Sequence, residues 1–146
     1  MKMLSSDFVE SKKIYWTEGY KYRLDHDFYI QTDIYPKEDI TSSNGLITLL
    51  RSGWLIVRRN YSWDGASSLT FDTKSSMRGA LTHDAFYELM REKLLDVSWR
   101  KQADRELRRI CREDGMWVWR ADGWYDAVRL AGLDAATVRR TIYSAP

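Results

Sequence analysis

The stretch ALTHDAFYELMREKLLDVSWRKQADRELRRIC, Ala80 to Cys111, carries two helical patterns with a break between them. Residues 74–94 contain no proline and many strong helix formers, and Met77, Ala80, Leu81, Ala85, Leu89 and Leu94 recur at helical spacing. Thr73 or Ser75 can serve as the N-cap. Gly79 is the weak point inside this helix, and a glycine there allows another backbone to come close. Leu95 to Ser98 forms the connection, with Ser98 a second N-cap. The next helix is expected over about 99–113, with Ala103, Leu107, Ile110 and Cys111 as its inner stripe and Asp114-Gly115 as its stop.

Upstream of this hairpin the period changes from helical to alternating. From Lys21 to Tyr35, Tyr22, Leu24, Phe28, Ile30, Thr32 and Ile34 share one parity, which predicts one strand or two strands broken near Asp25-His26-Asp27. Asn44-Gly45 and Ser52-Gly53 are turn signals. Beside them lie Leu46 to Leu50 and Trp54 to Val57, short apolar runs suited to a hairpin or meander. Pro36 to Ser43 is polar and expected to be a loop. Downstream, Met116 to Trp119 reads as a short strand or irregular wall and Ala121-Asp122-Gly123 as a turn. Trp124 to Leu130 and Asp134 to Tyr143 then read as two short helices parted by Ala131-Gly132. The expected fold class is α+β: a small antiparallel β-sheet in the N-terminal half, then a helical hairpin and short C-terminal helices, all in a single domain over 1–146.

Composition narrows the function classes. A chain of 146 residues can bury a core without staples. Its net charge of +2 gives no bulk attraction for nucleic acid or an anionic membrane, so either would need a local patch. A single cysteine, Cys111, excludes an intrachain disulfide framework, and its apolar stripe marks it as core. Residues 1–10 carry Asp7 and Glu10 and no long apolar run, so no signal peptide is expected. No stretch approaches the roughly 18–20 apolar residues of a transmembrane segment. Seven Trp, nine Tyr and four Phe point to aromatic core walls, with Trp117, Trp119 and Trp124 expected to pack and a carbohydrate or partner platform as the lesser alternative.

The chemistry gathers on the hairpin. His83 and Tyr87 are four residues apart and share a helix face, while Asp84 points about a quarter turn away. Asp104 adjoins the apolar stripe of the second helix, where a carboxylate costs free energy unless partnered. Arg100 and Arg108 are partners on its own helix, and His83 is a partner across the hairpin. About a turn near residue 97, position 83 lies about fourteen residues before and 104 about seven after, so the helices must cross, or the first must end early, for the two to meet. If they meet, Asp104 fixes the tautomer of His83 and leaves the other ring nitrogen to accept a proton from water. Asp64, in the turn Trp63 to Ser68, and Asp84 are hard oxygen ligands that could share a divalent cation, calcium first, to polarise a scissile carbonyl or phosphoryl group. The basic run Arg105, Arg108, Arg109 and Arg112 is expected to be a solvated face balanced by Glu106, Glu113 and Asp114, and His26 a solvated turn residue.

These motifs, Asp64-Gly65-Ala66-Ser67, His83-Asp84-Ala85-Phe86-Tyr87 and Ala103-Asp104, resemble those of a phage and prophage family catalogued as domain of unknown function 1353, over about Trp54 to Cys111. The resemblance implies a phage or prophage protein, in the host cytoplasm or a virion, and brings no established activity. More distantly, the chain is similar to the catalytic core of secreted phospholipase A2: a metal loop, a His-Asp-x-x-Tyr helix and a second helix with an Asp that orients the histidine. That likeness implies His83 as base, Asp84 as calcium ligand, Tyr87 and Asp104 as support and residues 63–68 as the loop. The chain departs from it in having no disulfides and a loop reduced to one glycine. Three functions stay open: a metal-assisted hydrolase of an ester, amide or phosphodiester; a non-catalytic phage accessory or virion protein; and a phage-encoded inhibitor that binds a host protein.

Overall fold

In the computed structural model, residues 8–17, 22–63 and 74–137 are described. Among them seven short strands precede three helices, the α+β order expected from the change of period. The strands are β1 (Trp16–Thr17), β2 (Tyr22–Leu24), β3 (Phe28–Gln31), β4 (Ile40–Thr41), β5 (Ile47–Leu49), β6 (Trp54–Val57) and β7 (Ser62–Trp63). They form two antiparallel sheets among the described residues, in the orders β1-β2-β7 and β3-β6-β5-β4. The alternating stretch does break at Asp25 to Asp27, and its two halves belong to different sheets. Hydrogen bonds from Leu24 N to Tyr61 O and from Asn60 N to Leu24 O tie the end of β2 to the turn that leads into β7. Asn60 takes a φ of 80°, a left-handed conformation that asparagine tolerates better than most residues.

Alternation decides what each strand buries. In β3, Phe28 and Ile30 face inward while Tyr29 and Gln31 are half-buried. Strand β6 is buried at all four positions because it is covered on both faces. Leu55 and Val57 join the main core, and Trp54 and Ile56 pack with Phe8 on the reverse side. Register is fixed by pairs such as Ile30 with Leu55 and Ile47 with Val57. Gly53 turns the β5–β6 hairpin at φ 90° with its backbone against Thr32, a place where a Cβ would collide. The polar segment 36–43, expected to be a loop, contains β4, whose Ile40 pairs with Leu49 at the sheet edge.

Helix α1 (Met77–Arg91) is the centre of the molecule, with twelve of its fifteen residues buried. Leu81, Ala85, Phe86 and Leu89 are within the main core, while Ala80 faces a second cluster with Leu107, Cys111 and Trp124. The close approach expected at Gly79 is present: a Cβ there would lie 2.8 Å from Cys111 Sγ and 3.2 Å from the Leu107 carbonyl oxygen. Ser76 precedes the helix without a side-chain cap. The connection closes with a single 3-10 turn over Val97–Trp99, whose Asp96 side chain accepts from Ser98 N. Helix α2 (Arg100–Glu113) buries Ala103, Leu107, Ile110 and Cys111, the stripe read from the sequence.

The C-terminal region departs from expectation. Residues 118–137 form one helix, α3 (Val118–Thr137), where a short strand or irregular wall, a turn and two short helices were expected, and residues 138–143 of the second of those helices lie outside the described residues. Two glycines interrupt the helical pattern at about 1 kcal/mol each relative to alanine, yet Ala121, Trp124 and Ala136 pack on α1 and α2 and hold the helix continuous. Trp117 and Trp119 are exposed, not packed, with ring centroids 5.9 Å apart. Among the described residues, no helix is long and apolar enough to cross a membrane.

Candidate functional site

Helices α1 and α2 lie side by side in antiparallel register, Gly79 beside Cys111, His83 beside Asp104 and Tyr87 beside Arg100. Helix α1 ends at Arg91, earlier than the pattern suggested, and the connection is correspondingly longer. His83 Nε2 lies 2.7 Å from Asp104 Oδ1, and Tyr87 Oη donates to the same oxygen at 2.6 Å. One turn apart on α1, the two rings pack with centroids 4.1 Å apart. Helix α3 closes the group from the other side, with Arg129 Nη1 donating to Asp104 Oδ2 at 2.9 Å. Arg100, one turn before Asp104 on α2, lies 3.7 Å from Oδ2, and its guanidinium donates to the carbonyls of Val128 and Arg129. Asp104 is fully buried, so three helices converge on one carboxylate.

Electrostatics fix the roles. Burial pushes the Asp104 carboxyl upward, but hydrogen bonds from His83 and Tyr87, the adjacent imidazole and Arg129 outweigh it, and the group is held below its ordinary range. An ionised carboxylate only accepts, so Nε2 of His83 carries the proton it donates, and Nδ1 of the neutral ring is left with the lone pair. Burial first and then the Asp104 charge raise the Tyr87 phenol, which therefore stays a donor. Burial pushes the Cys111 thiol up to about 12, which removes it from the candidate nucleophiles.

Asp84 points away from this couple, and one of its carboxylate oxygens accepts a hydrogen bond from Tyr61 Oη. The Tyr61 phenol, raised by burial and then by Asp84, donates from the β6–β7 connection, so Asp84 is anchored towards the sheets. His83 and Asp84 nevertheless line the same cleft between α1 and α3. Of the residues expected to hold a cation, Asp84 is placed and Asp64 lies outside the described residues, as does the rest of the 63–68 turn after Trp63. Among the described residues, no group of three or more His, Cys, Asp or Glu side chains could hold a metal. Asp84 alone is short of the six or more oxygens that calcium takes, so the fit to a cation is not made by the residues placed here.

Several participants escaped the sequence reading. Arg129 and Tyr61 belong to segments with no local signal for either carboxylate, and only the packing of α3 and of the β6–β7 connection brings them in. Glu106, taken as one balancing charge on a solvated face, is buried and accepts from Asp33 N at 2.6 Å and from Arg109. It ties α2 to the sheet. Arg78 is likewise buried on α1, with Asp114 at 2.6 Å. His26 is exposed, as expected of a turn residue. Arg108 pairs with Asp122, 3.7 Å away, and lies over the Tyr125 ring, so of the two intrahelical partners foreseen for Asp104 only Arg100 is near it. In comparison with known proteins, no family model, no curated protein and no solved structure matches the chain.

Proposed function

We propose that the protein is a hydrolase in which His83 activates water for attack on an ester, amide or phosphodiester. The observation that supports this most is the hydrogen-bonded group His83, Asp104 and Tyr87, with Nδ1 of His83 directed away from its carboxylate partner. In the proposed reaction Nδ1 takes a proton from water as the oxygen attacks the substrate. Asp104 stabilises the imidazolium that forms, and the proton then passes to the leaving group. Tyr87 and Arg129 are positioning residues: they hold Asp104 and do not themselves touch substrate. A divalent cation, calcium first, is part of the proposal, with Asp84 and Asp64 as its ligands. Such a cation would supply electrophilic polarisation of the scissile group. The motif resemblance supports reading the chain as a phage or prophage protein.

The test is hydrolysis of a panel of aryl esters, anilides and aryl phosphodiesters by wild-type protein and by His83→Ala. The expected result is turnover with at least one substrate class and a loss of 10²-fold or more in His83→Ala, the ordinary contribution of a general base. Turnover unchanged in His83→Ala, or absent throughout the panel with and without calcium, overturns the reading.

A second reading is supported by the saturation of Asp104. A buried carboxylate met by His83, Tyr87 and Arg129 also locks three helices together without any reaction. An accessory protein built this way loses stability in His83→Ala and has no activity to lose.

A further inference from the structure

The cleft beside His83 has a volume of about 270 Å³ and two unlike ends. Its direction follows from neighbouring contacts: Ala80 clusters with Trp124, and Tyr87 lies against Gly132. Helices α1 and α3 therefore run the same way along the cleft, with Leu107 of α2 beneath. At the first end the lining is Ala80, Leu107 and Trp124, and Ala127 continues it along α3. The ionisable lining residues, His83, Asp84, Tyr87 and Arg91, run from the middle of α1 to its far end. An occupant thus meets apolar walls on both helices at one side of His83, and at the other an α1 wall that carries Asp84, Tyr87 and Arg91 opposite Val128, Ala131 and Gly132 of α3.

Building on the hydrolase reading, we propose that the apolar end is a binding site for the uncharged aliphatic or single-ring part of the substrate, which sets the scissile bond at His83. A charged group would enter this end without a partner and lose its hydration, whereas an apolar one gains by leaving water. The volume sets the size. An apolar cavity of about 150 Å³ takes up benzene, and the apolar end is only part of the cleft of about 270 Å³, so it suits no more than a single ring or a chain on the order of six carbons. Ala127 sets the length limit, because a longer side chain at this position on α3 would project into the space that the ligand fills. The substrate class is accordingly an ester or amide of a medium-length, uncharged acyl or aryl group.

The experiment titrates straight-chain alkanols from butanol to decanol into wild-type protein, Ala127→Leu and His83→Ala, followed by tryptophan fluorescence and by the alanine methyl signals in NMR. Expected is saturable binding that peaks at the middle of the series, falls tenfold or more in Ala127→Leu and persists in His83→Ala. Ala80→Leu, on the facing α1 wall of the same end, serves as a second variant should Ala127→Leu lose its fold. Absence of saturable binding, equal affinity in the alanine-to-leucine variants, or affinity that climbs with length to decanol overturns the proposal. Alkanol binding without hydrolysis of any ester leaves the site standing and removes the hydrolase reading. Hydrolysis indifferent to acyl length, with no alkanol bound, removes the site and leaves the reading.

Discussion

Gly123 and Gly132 lie on the same helix, and replacing each with alanine should have opposite effects. A Cβ built at Gly123 has no heavy atom within 4 Å, so the substitution only improves helix propensity, by about 0.8–1 kcal/mol. For a chain of this length that corresponds to a rise in Tm of roughly 2–4 °C. At Gly132 the same Cβ would lie 2.5 Å from Tyr87 Oη and 2.9 Å from Arg100 Nη1. Tyr87 cannot simply swing aside, because its hydroxyl is held by buried Asp104. The overpacking costs about 1–3 kcal/mol, which cancels or exceeds the propensity gain. Gly132→Ala is therefore expected to be less stable than Gly123→Ala by about 1–3 kcal/mol, measured by urea unfolding with a common m-value. It should also disturb the Tyr87 ring signals in NMR, which Gly123→Ala leaves in place. Equal stabilisation by both substitutions would refute the docking of α3 on Tyr87. Destabilisation by Gly123→Ala would refute the continuity of the helix.

Asp104→Ala leaves His83, Tyr87 and Arg129 without their shared acceptor and is expected to cost about 3–5 kcal/mol, the usual penalty for breaking a buried pair; a loss below 1 kcal/mol in chemical denaturation would contradict the network. Because the folded carboxyl of Asp104 sits below its ordinary range, its contribution is present above the unfolded carboxylate pKa and disappears as pH falls through the folded one. Acid unfolding of wild type should accordingly steepen below about pH 4, and Asp104→Asn should remove that component. Glu106→Gln, which weakens the acceptor for Asp33 N and Arg109, should detach α2 from the sheet and speed amide exchange in residues 31–34, whereas exchange rates matching wild type would deny Glu106 that role. Trp117→Ser should change stability by no more than about 0.5 kcal/mol because the ring is exposed; a larger loss by calorimetry would show that the ring is packed.

How much of this was legible in the sequence depended on the range of the interaction. The α+β order followed from local period: alternation in residues 21–35, the 46–57 hairpin and the stripe of Ala103, Leu107, Ile110 and Cys111 are all written within a few residues of one another. Helix α3 was not, because Gly123 and Gly132 weaken its local signal and the packing of Ala121, Trp124 and Ala136 that holds it is remote in sequence. The site divided the same way. His83 and Tyr87 share a helix face by spacing alone, but their meeting with Asp104 depended on α1 stopping at Arg91, short of the helical pattern that continues to Leu94. Arg129 and Tyr61 could not be found from spacing, since each reaches its carboxylate from a separate element. Glu106 misled because its alternation with arginines suits a solvated face, while burial was decided by the backbone amide of Asp33 across the molecule.

The proposed chemistry stands on His83 being a base oriented by Asp104, and the tautomer of its ring tests this most directly. Long-range ¹H–¹⁵N correlation at a pH where the ring is neutral should show the proton on Nε2 and the lone pair on Nδ1, with that preference lost in Asp104→Asn. A proton found on Nδ1, or a ring exchanging between tautomers as it does free in water, would contradict the account.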